Sequence, residues 1–173
     1  MPNNTLTQLF DTRNRAIWLV LIALCLAMEV IALYYQYQLN EPPCVVCIHV
    51  RILLASLIIL LGSGYLIRRF LLARVTVLLA LLVNSGVLIE RSLELLGTER
   101  GIIMGSCSFN LGLPAWLALD QWFPFIFKVH SSCGYTPELL FGITMAEGLL
   151  VLSSLAAVLF LLLIWTAIFN KPR

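Results

Sequence analysis

Four long runs of apolar residues, separated by short polar breaks, dominate the pattern of this chain. They cover about 16–35, 47–67, 75–89 and 142–169. Each is near the ~20 residues that a helix needs to cross hydrocarbon; the third is the shortest, so its helix is expected to stop at the run or to extend through Arg74 or Glu90. The pattern predicts four membrane-spanning helices joined by a first loop over 36–46, a tight turn near 68–74 and a long second loop over 90–141. No internal repeat, low-complexity tract or linker divides them, so one four-helix domain over 1–173 is expected. The first run is longer than the core of a signal peptide and has no small-residue cleavage site, which predicts a retained anchor.

Composition agrees with a membrane protein. Hydrophobic residues make up 61% of the chain and charged ones 12%, with mean hydropathy +0.97, more apolar surface than a water-soluble domain of this size needs. A net charge of +2, with no basic tract and no Gly-rich phosphate loop, argues against nucleic acid as a partner. The charges also set orientation. Arg13, Arg15, Arg68, Arg69, Arg74, Lys171 and Arg173 fall on one side. Arg51, Arg91, Arg100 and Lys128 fall on the other, among Glu41, Glu90, Glu94, Glu99, Asp120 and Glu138. Positive residues collect on the cytoplasmic face, so both termini and the 68–74 turn are expected there and the two other loops face outward.

Candidate chemistry lies in those outward loops. The stretch Pro42-Pro43-Cys44-Val45-Val46-Cys47-Ile48-His49-Val50-Arg51 predicts a helix beginning at Pro43 or Cys44. Cys44, Cys47 and Arg51 then share one helix face at offsets of three and four. The positive helix end and Arg51 both favour a thiolate at Cys44 or Cys47. Cys107 and Cys133 sit in the second loop, and Cys25 alone lies within a span, where it reads as a small buried apolar residue. Thiols on the oxidising side of a membrane read as disulfides before metal ligands, and the second pair lacks C-x-x-C spacing, so no metal is assigned. Four thiols permit three pairings.

The second loop is unusually apolar, with Trp116, Trp122, Phe123, Phe125 and Phe127 close together. Such a stretch suits the headgroup boundary as a short flat helix between Pro114 and Trp122, holding the segments with Cys107 and Cys133 near Cys44 and Cys47.

In these motifs the chain resembles the DsbB family, the inner-membrane disulfide-bond formation proteins of Gram-negative bacteria. The likeness is carried by Pro43-Cys44-Val45-Val46-Cys47-Ile48 with Arg51, by Cys107-Ser108-Phe109, by the Leu113–Pro124 stretch with Trp116 and Trp122, by Cys133 and by Met145-Ala146-Glu147. It implies an all-α bundle of four transmembrane helices with a short interfacial helix in the second periplasmic loop. The implied activity is oxidation of a periplasmic thioredoxin-fold dithiol protein of the DsbA type, with electrons passed to a membrane quinone, ubiquinone or menaquinone. By the family pattern Cys107 forms the mixed disulfide with the partner, Cys133 is released to attack Cys44, and Cys47 is freed beside the quinone, where Arg51 assists. Arg91 takes a supporting role near the quinone headgroup. Val45, Val46 and Val50 make this neighbourhood more apolar than in members with Pro-Leu between the cysteines.

Other polar residues have structural readings beside functional ones. Glu29 and Glu147 are candidates for proton handling within the membrane, unless Glu29 pairs with Tyr34 or Asn84 and Glu147 lies at the outer interface. His49 and His130 read first as interface and loop side chains. Gly62, Ser63, Gly64, Ser85 and Gly86 read as small residues for close helix packing. Two rival functions are an enzyme of the vitamin K epoxide reductase type and a non-catalytic tetraspan protein stapled by disulfides. In the first, C-x-x-C follows the loop pair, whereas here it precedes it; the second gives no reason for Arg51 below C-x-x-C.

Overall fold

The computed structural model describes residues 12–103, 111–114, 117–131, 138–140 and 142–169. Four of its helices are long and apolar enough to cross a membrane: α1 (Arg15–Gln38), α2 (Val45–Ile67), α3 (Leu71–Glu99) and, last in the chain, α6 (Met145–Phe169). The second loop contributes two single helical turns, α4 (Leu119–Trp122) and α5 (Pro124–Phe127), and a short hairpin, β1 (Glu138–Leu140) with β2 (Ile143–Thr144). This is an all-α four-helix membrane bundle.

Three of the four long helices, α1, α2 and α6, start at a side chain that accepts from one of their first N–H groups. At α1 the Asn14 side chain accepts from the Ala16 N–H at 3.0 Å. At its other end Asn40, with φ 53°, closes the turn and the Glu41 N–H returns to the Tyr35 carbonyl at 3.1 Å. Asn tolerates this left-handed conformation better than most residues. α6 begins with a capping box: the Thr144 hydroxyl accepts from Glu147 N–H at 3.4 Å, and the Glu147 carboxylate accepts from Thr144 N–H at 3.3 Å.

Two expectations are corrected and one is extended. The third helix runs through both Arg74 and Glu90, as its short apolar run allowed, and goes on to Glu99, because an amphipathic stripe of Leu88, Ser92, Leu95 and Thr98 stays buried after the apolar run ends. The helix expected between Pro114 and Trp122 forms only over its last turn, and Pro124, well placed at a helix start, opens a second. Residues 115 and 116 lie outside the described residues. α2 starts at Val45, leaving Cys44 as its extended N-cap.

α3 packs against α2 and α6, and α1 packs on α2. Their core is apolar, built from Leu54, Leu57 and Leu61 of α2, Leu78, Leu81 and Leu88 of α3, and Leu149, Phe160 and Leu163 of α6. The outer faces are apolar too, with Leu24, Ile59, Leu66, Leu72, Val83, Leu155 and Trp165 exposed, a surface suited to lipid. Among the small residues, Gly64 does take part in close packing: a Cβ there would lie 2.1 Å from the Trp18 ring. Gly62 and Gly86 have nothing within 4 Å of the same position, so they make no such contact.

Candidate functional site

The site forms where α2 begins. Cys44 is extended, with φ −85° and ψ 172°, and its sulfur accepts from the Cys47 N–H at 3.3 Å. A thiol as N-cap faces the positive end of the helix dipole, which favours its ionised form. The two sulfurs are 2.7 Å apart, so a disulfide, near 2.05 Å, needs only a small approach. Cys44 is buried and Cys47 half-buried.

Arg51 follows one turn below, only 5% exposed. Its Nη1 donates to Gln36 Oε1 at 2.5 Å and to the Ile126 carbonyl at 3.0 Å, and its Nη2 donates to the Ala32 carbonyl at 3.0 Å. A guanidinium has five N–H donors, so these three bonds leave two, one on Nε and one on Nη2. Held this way, the cation cannot snorkel to the interface; it stays beside the cysteines as one wall of a cavity.

That cavity, about 410 Å³, is bounded by α1 through Met28 and Ala32, by α2 through Cys47, Arg51 and Leu54, and by α6 through Leu149. Its rim includes Cys44 and Ser131. The walls are mostly hydrocarbon, with sulfur and a guanidinium at one end. An apolar ring bearing hydrogen-bond acceptors suits such a lining.

The second loop is fastened to this site on both sides. The His130 and Ser131 N–H groups donate to the Pro43 carbonyl at 3.0 and 3.3 Å, and the Ser131 hydroxyl donates to the Pro42 carbonyl at 2.8 Å. Ser131 thereby pairs with Cys44 in a parallel bridge. Earlier in the loop, Leu111 is buried with Val45 and Ile48, and its carbonyl accepts from His49 Nε2 at 2.9 Å. A carbonyl can only accept, so Nε2 carries the proton. Cys107 and Cys133 lie outside the described residues. Cys133 is two residues beyond Ser131, and two residues of extended chain reach at most about 7 Å.

A family model described as "Disulfide bond formation protein DsbB" matches residues 14–163. The chain belongs to the DsbB family. It is 35% identical over 156 residues to Disulfide bond formation protein B of Haemophilus influenzae strain Rd, covering 88% of this chain and 87% of that protein. Proteins of the same name from Shewanella sp. strain ANA-3 and Shewanella denitrificans are 31% and 30% identical over 163 residues, covering 92% and 93% of this chain and 93% of each relative. DsbB membership makes this multi-pass membrane protein a member of a disulfide bond formation family.

Within the DsbB-family site, the structure brings together Cys44, Cys47 and Arg51, and brings the segment leading to Cys133 beside them. It does not bring Arg91, whose guanidinium pairs with Glu94 at 2.6 Å and is not among the residues lining the cavity. Glu147 is taken by the capping box and by Arg100 at 2.8 Å, which places it at the α3–α6 end rather than in the cavity lining. Asn84 donates to Ser56 Oγ and to the Leu53 carbonyl on α2, not to Glu29. His130 contributes its backbone N–H while its side chain is exposed.

Five polar residues without a place in the motifs belong to the site: Tyr35, Glu41 and Ser131 line the cavity, and Gln36 and Tyr37 bond to Arg51 or to the Phe125 carbonyl. Gln36 and Tyr37 end the first apolar run, where polar residues are ordinary at the edge of a membrane helix. Only their contacts across the chain set them apart.

Proposed function

We propose that this chain reoxidises a periplasmic dithiol protein of the DsbA type and passes the electrons to a membrane quinone, from the bacterial inner membrane with both termini cytoplasmic. The observation that carries this reading is the Ser131–Cys44 bridge, which fastens the segment leading to Cys133 to the rim of a cavity that also holds Cys47 and Arg51. Two pairs of cysteines can thus exchange at one apolar pocket.

The chemistry balances as a relay of disulfide exchanges. A partner thiolate attacks Cys107 of a Cys107–Cys133 disulfide and Cys133 leaves as thiolate; the partner's second thiol then closes its own disulfide and releases Cys107. The Cys133 thiolate attacks Cys44 of a Cys44–Cys47 disulfide and Cys47 leaves. Cys107 then closes on Cys133, releasing Cys44. The net result is one oxidised partner and one reduced Cys44–Cys47 pair, holding two electrons and two protons. Bound quinone supplies the acceptor for both. Arg51 favours the Cys47 thiolate and offers its two remaining N–H groups toward an oxygen where negative charge grows. Apolar walls from α1, α2 and α6 would hold the quinone ring. Arg68 and Arg69 in the turn between α2 and α3, with Arg74 in the first turn of α3, support the orientation.

The test mixes purified protein with a reduced DsbA-type partner and ubiquinone or menaquinone and follows quinone absorbance. Wild type should turn over, whereas Cys47→Ser and Cys107→Ser should not. Full turnover in Cys47→Ser overturns the relay.

A further inference from the structure

The short α5 turn raises a question of hydrogen bonding. Its chain leaves helical geometry at Lys128, with φ −79° and ψ 131°, after one closing bond from the Lys128 N–H to the Pro124 carbonyl at 3.1 Å. The next two carbonyls, Phe125 and Ile126, receive no further helical N–H from the strand-like segment that follows. Side chains from two other helices serve them instead. The Tyr37 hydroxyl and Gln36 Nε2 (3.4 Å) donate to the Phe125 carbonyl, and Arg51 Nη1 donates to the Ile126 carbonyl at 3.0 Å.

Gln36 does more than serve the loop. Arg51 can only donate, so the Gln36 amide must turn Oε1 toward the guanidinium, at 2.5 Å, and Nε2 toward Phe125. One side chain therefore reads both partners at once, and only in that orientation. Arg51 Nη1 is shared between Gln36 and Ile126, so the cation, the last turn of α1 and α5 form a closed joint. From Lys128 the chain runs three residues to Ser131 and its bridge to Cys44.

We propose that Gln36 and Tyr37 are positioning residues that fix Arg51 and the second outward loop as one unit, so that the cation beside Cys47 and the segment leading to Cys133 are placed together. For its quinone readout this rests on the function proposed above. The joint makes two properties depend on one amide: the aim of Arg51 into the cavity, and the register of the loop against Pro43 and Cys44.

Two measurements separate them. The first is quinone KM in the turnover assay. The second is the rate at which a mild oxidant forms a Cys44–Cys133 disulfide in a Cys47→Ser, Cys107→Ser background, read by mass spectrometry; it needs neither quinone nor partner. Gln36→Met, of similar length but without hydrogen bonds, should raise quinone KM about tenfold, the scale of one charge-assisted bond, and slow the cross-link at least threefold. Gln36→Glu keeps an acceptor for Arg51 but cannot donate to Phe125. It should bring quinone KM back to within about threefold of wild type while the cross-link stays slow. Tyr37→Phe should slow the cross-link as well. An unchanged quinone KM in Gln36→Met, no rescue of it in Gln36→Glu, or wild-type cross-linking rates in Gln36→Met and Tyr37→Phe each overturn the joint. If Gln36→Met fails to accumulate, Gln36→Glu and Tyr37→Phe still decide through the cross-linking rate. Wild type without quinone-linked turnover refutes the proposed function instead, and the loop half of the joint then stands or falls on cross-linking alone.

Discussion

Arg51→Met gives the sharpest separation of stability from function in this protein. The substitution keeps most of the apolar stem and removes three hydrogen bonds, to Gln36, Ile126 and Ala32. Ala32 lies within α1, so its carbonyl retains a helical N–H; the Gln36 oxygen and the Ile126 carbonyl lose a charged donor. Each stranded acceptor costs about 1–3 kcal/mol. Against this, removing an arginine from membrane depth relieves about 2.5–3.5 kcal/mol. The two effects cancel in part, and the net change in stability should lie between a gain of about 1.5 kcal/mol and a loss of about 3.5 kcal/mol.

The effect on quinone has no such compensation. One hydrogen bond from a charged donor to a quinone oxygen contributes about 1.5–3 kcal/mol, so quinone KM should rise roughly tenfold to a hundredfold or more. Arg51→Lys keeps a charge but not the planar fork that reaches Gln36, Ala32 and Ile126 together, and should fall between, with KM raised about three- to tenfold. The assay is quinone absorbance at saturating reduced partner, beside thermal unfolding in the same detergent. Wild-type quinone KM in Arg51→Met would refute the role given to this cation. A collapse of stability with KM unchanged among the surviving molecules would make Arg51 a structural clamp only.

Three further predictions concern the scaffold. Gly64→Ala places a Cβ within 2.1 Å of Trp18 and should lower the thermal stability by about 1–3 kcal/mol, whereas Gly62→Ala, with open space, should be neutral or slightly stabilising. Thr144→Ala removes the cap of α6 and should cost about 1 kcal/mol in the same melt, with the half-exposed Arg100–Glu147 pair adding less than about 1 kcal/mol. His49→Phe should destabilise the protein by about 1–3 kcal/mol and speed hydrogen exchange around 111–114, while His49→Gln, which retains a donor for Leu111, should lose less.

The four membrane helices were legible because each needs a long apolar run, and C-x-x-C with Arg51 was legible because one helix face needs only spacing. What stayed hidden has physical causes. The end of α3 continues through Ser92, Leu95 and Thr98, buried against protein instead of lipid, so hydropathy falls while helical periodicity persists. Thr144-Met145-Ala146-Glu147 carries the spacing of a capping box, yet an acid beside an apolar run also fits proton transfer; only the paired bonds decide. Gln36 and Tyr37 act through the Phe125 carbonyl, 89 and 88 residues away, and no local pattern encodes a partner at that distance.

These long-range contacts bear on why the loop is built as it is. Leu111 and Ser131 are the fastened points, one held by His49 and packing against Val45 and Ile48, the other by Pro42 and Pro43. The two loop cysteines fall just outside them in sequence: Cys107 four residues before Leu111, Cys133 two residues after Ser131. Exchange requires a thiol to meet first one sulfur and then another, so a cysteine inside the fastened stretch would be held to one partner. Cysteines on a distant, untethered loop would meet Cys44 only at the low effective concentration of a long chain closure. Fastening the aromatic stretch between them, through Arg51, Gln36 and Tyr37, anchors the chain at the start of α2, beside the cavity at Ser131 and against Val45 and Ile48 at Leu111, while both thiols fall outside the fastened stretch in sequence. On the proposed function, this arrangement would separate the two demands on the loop, proximity and exchange, and assign them to different residues.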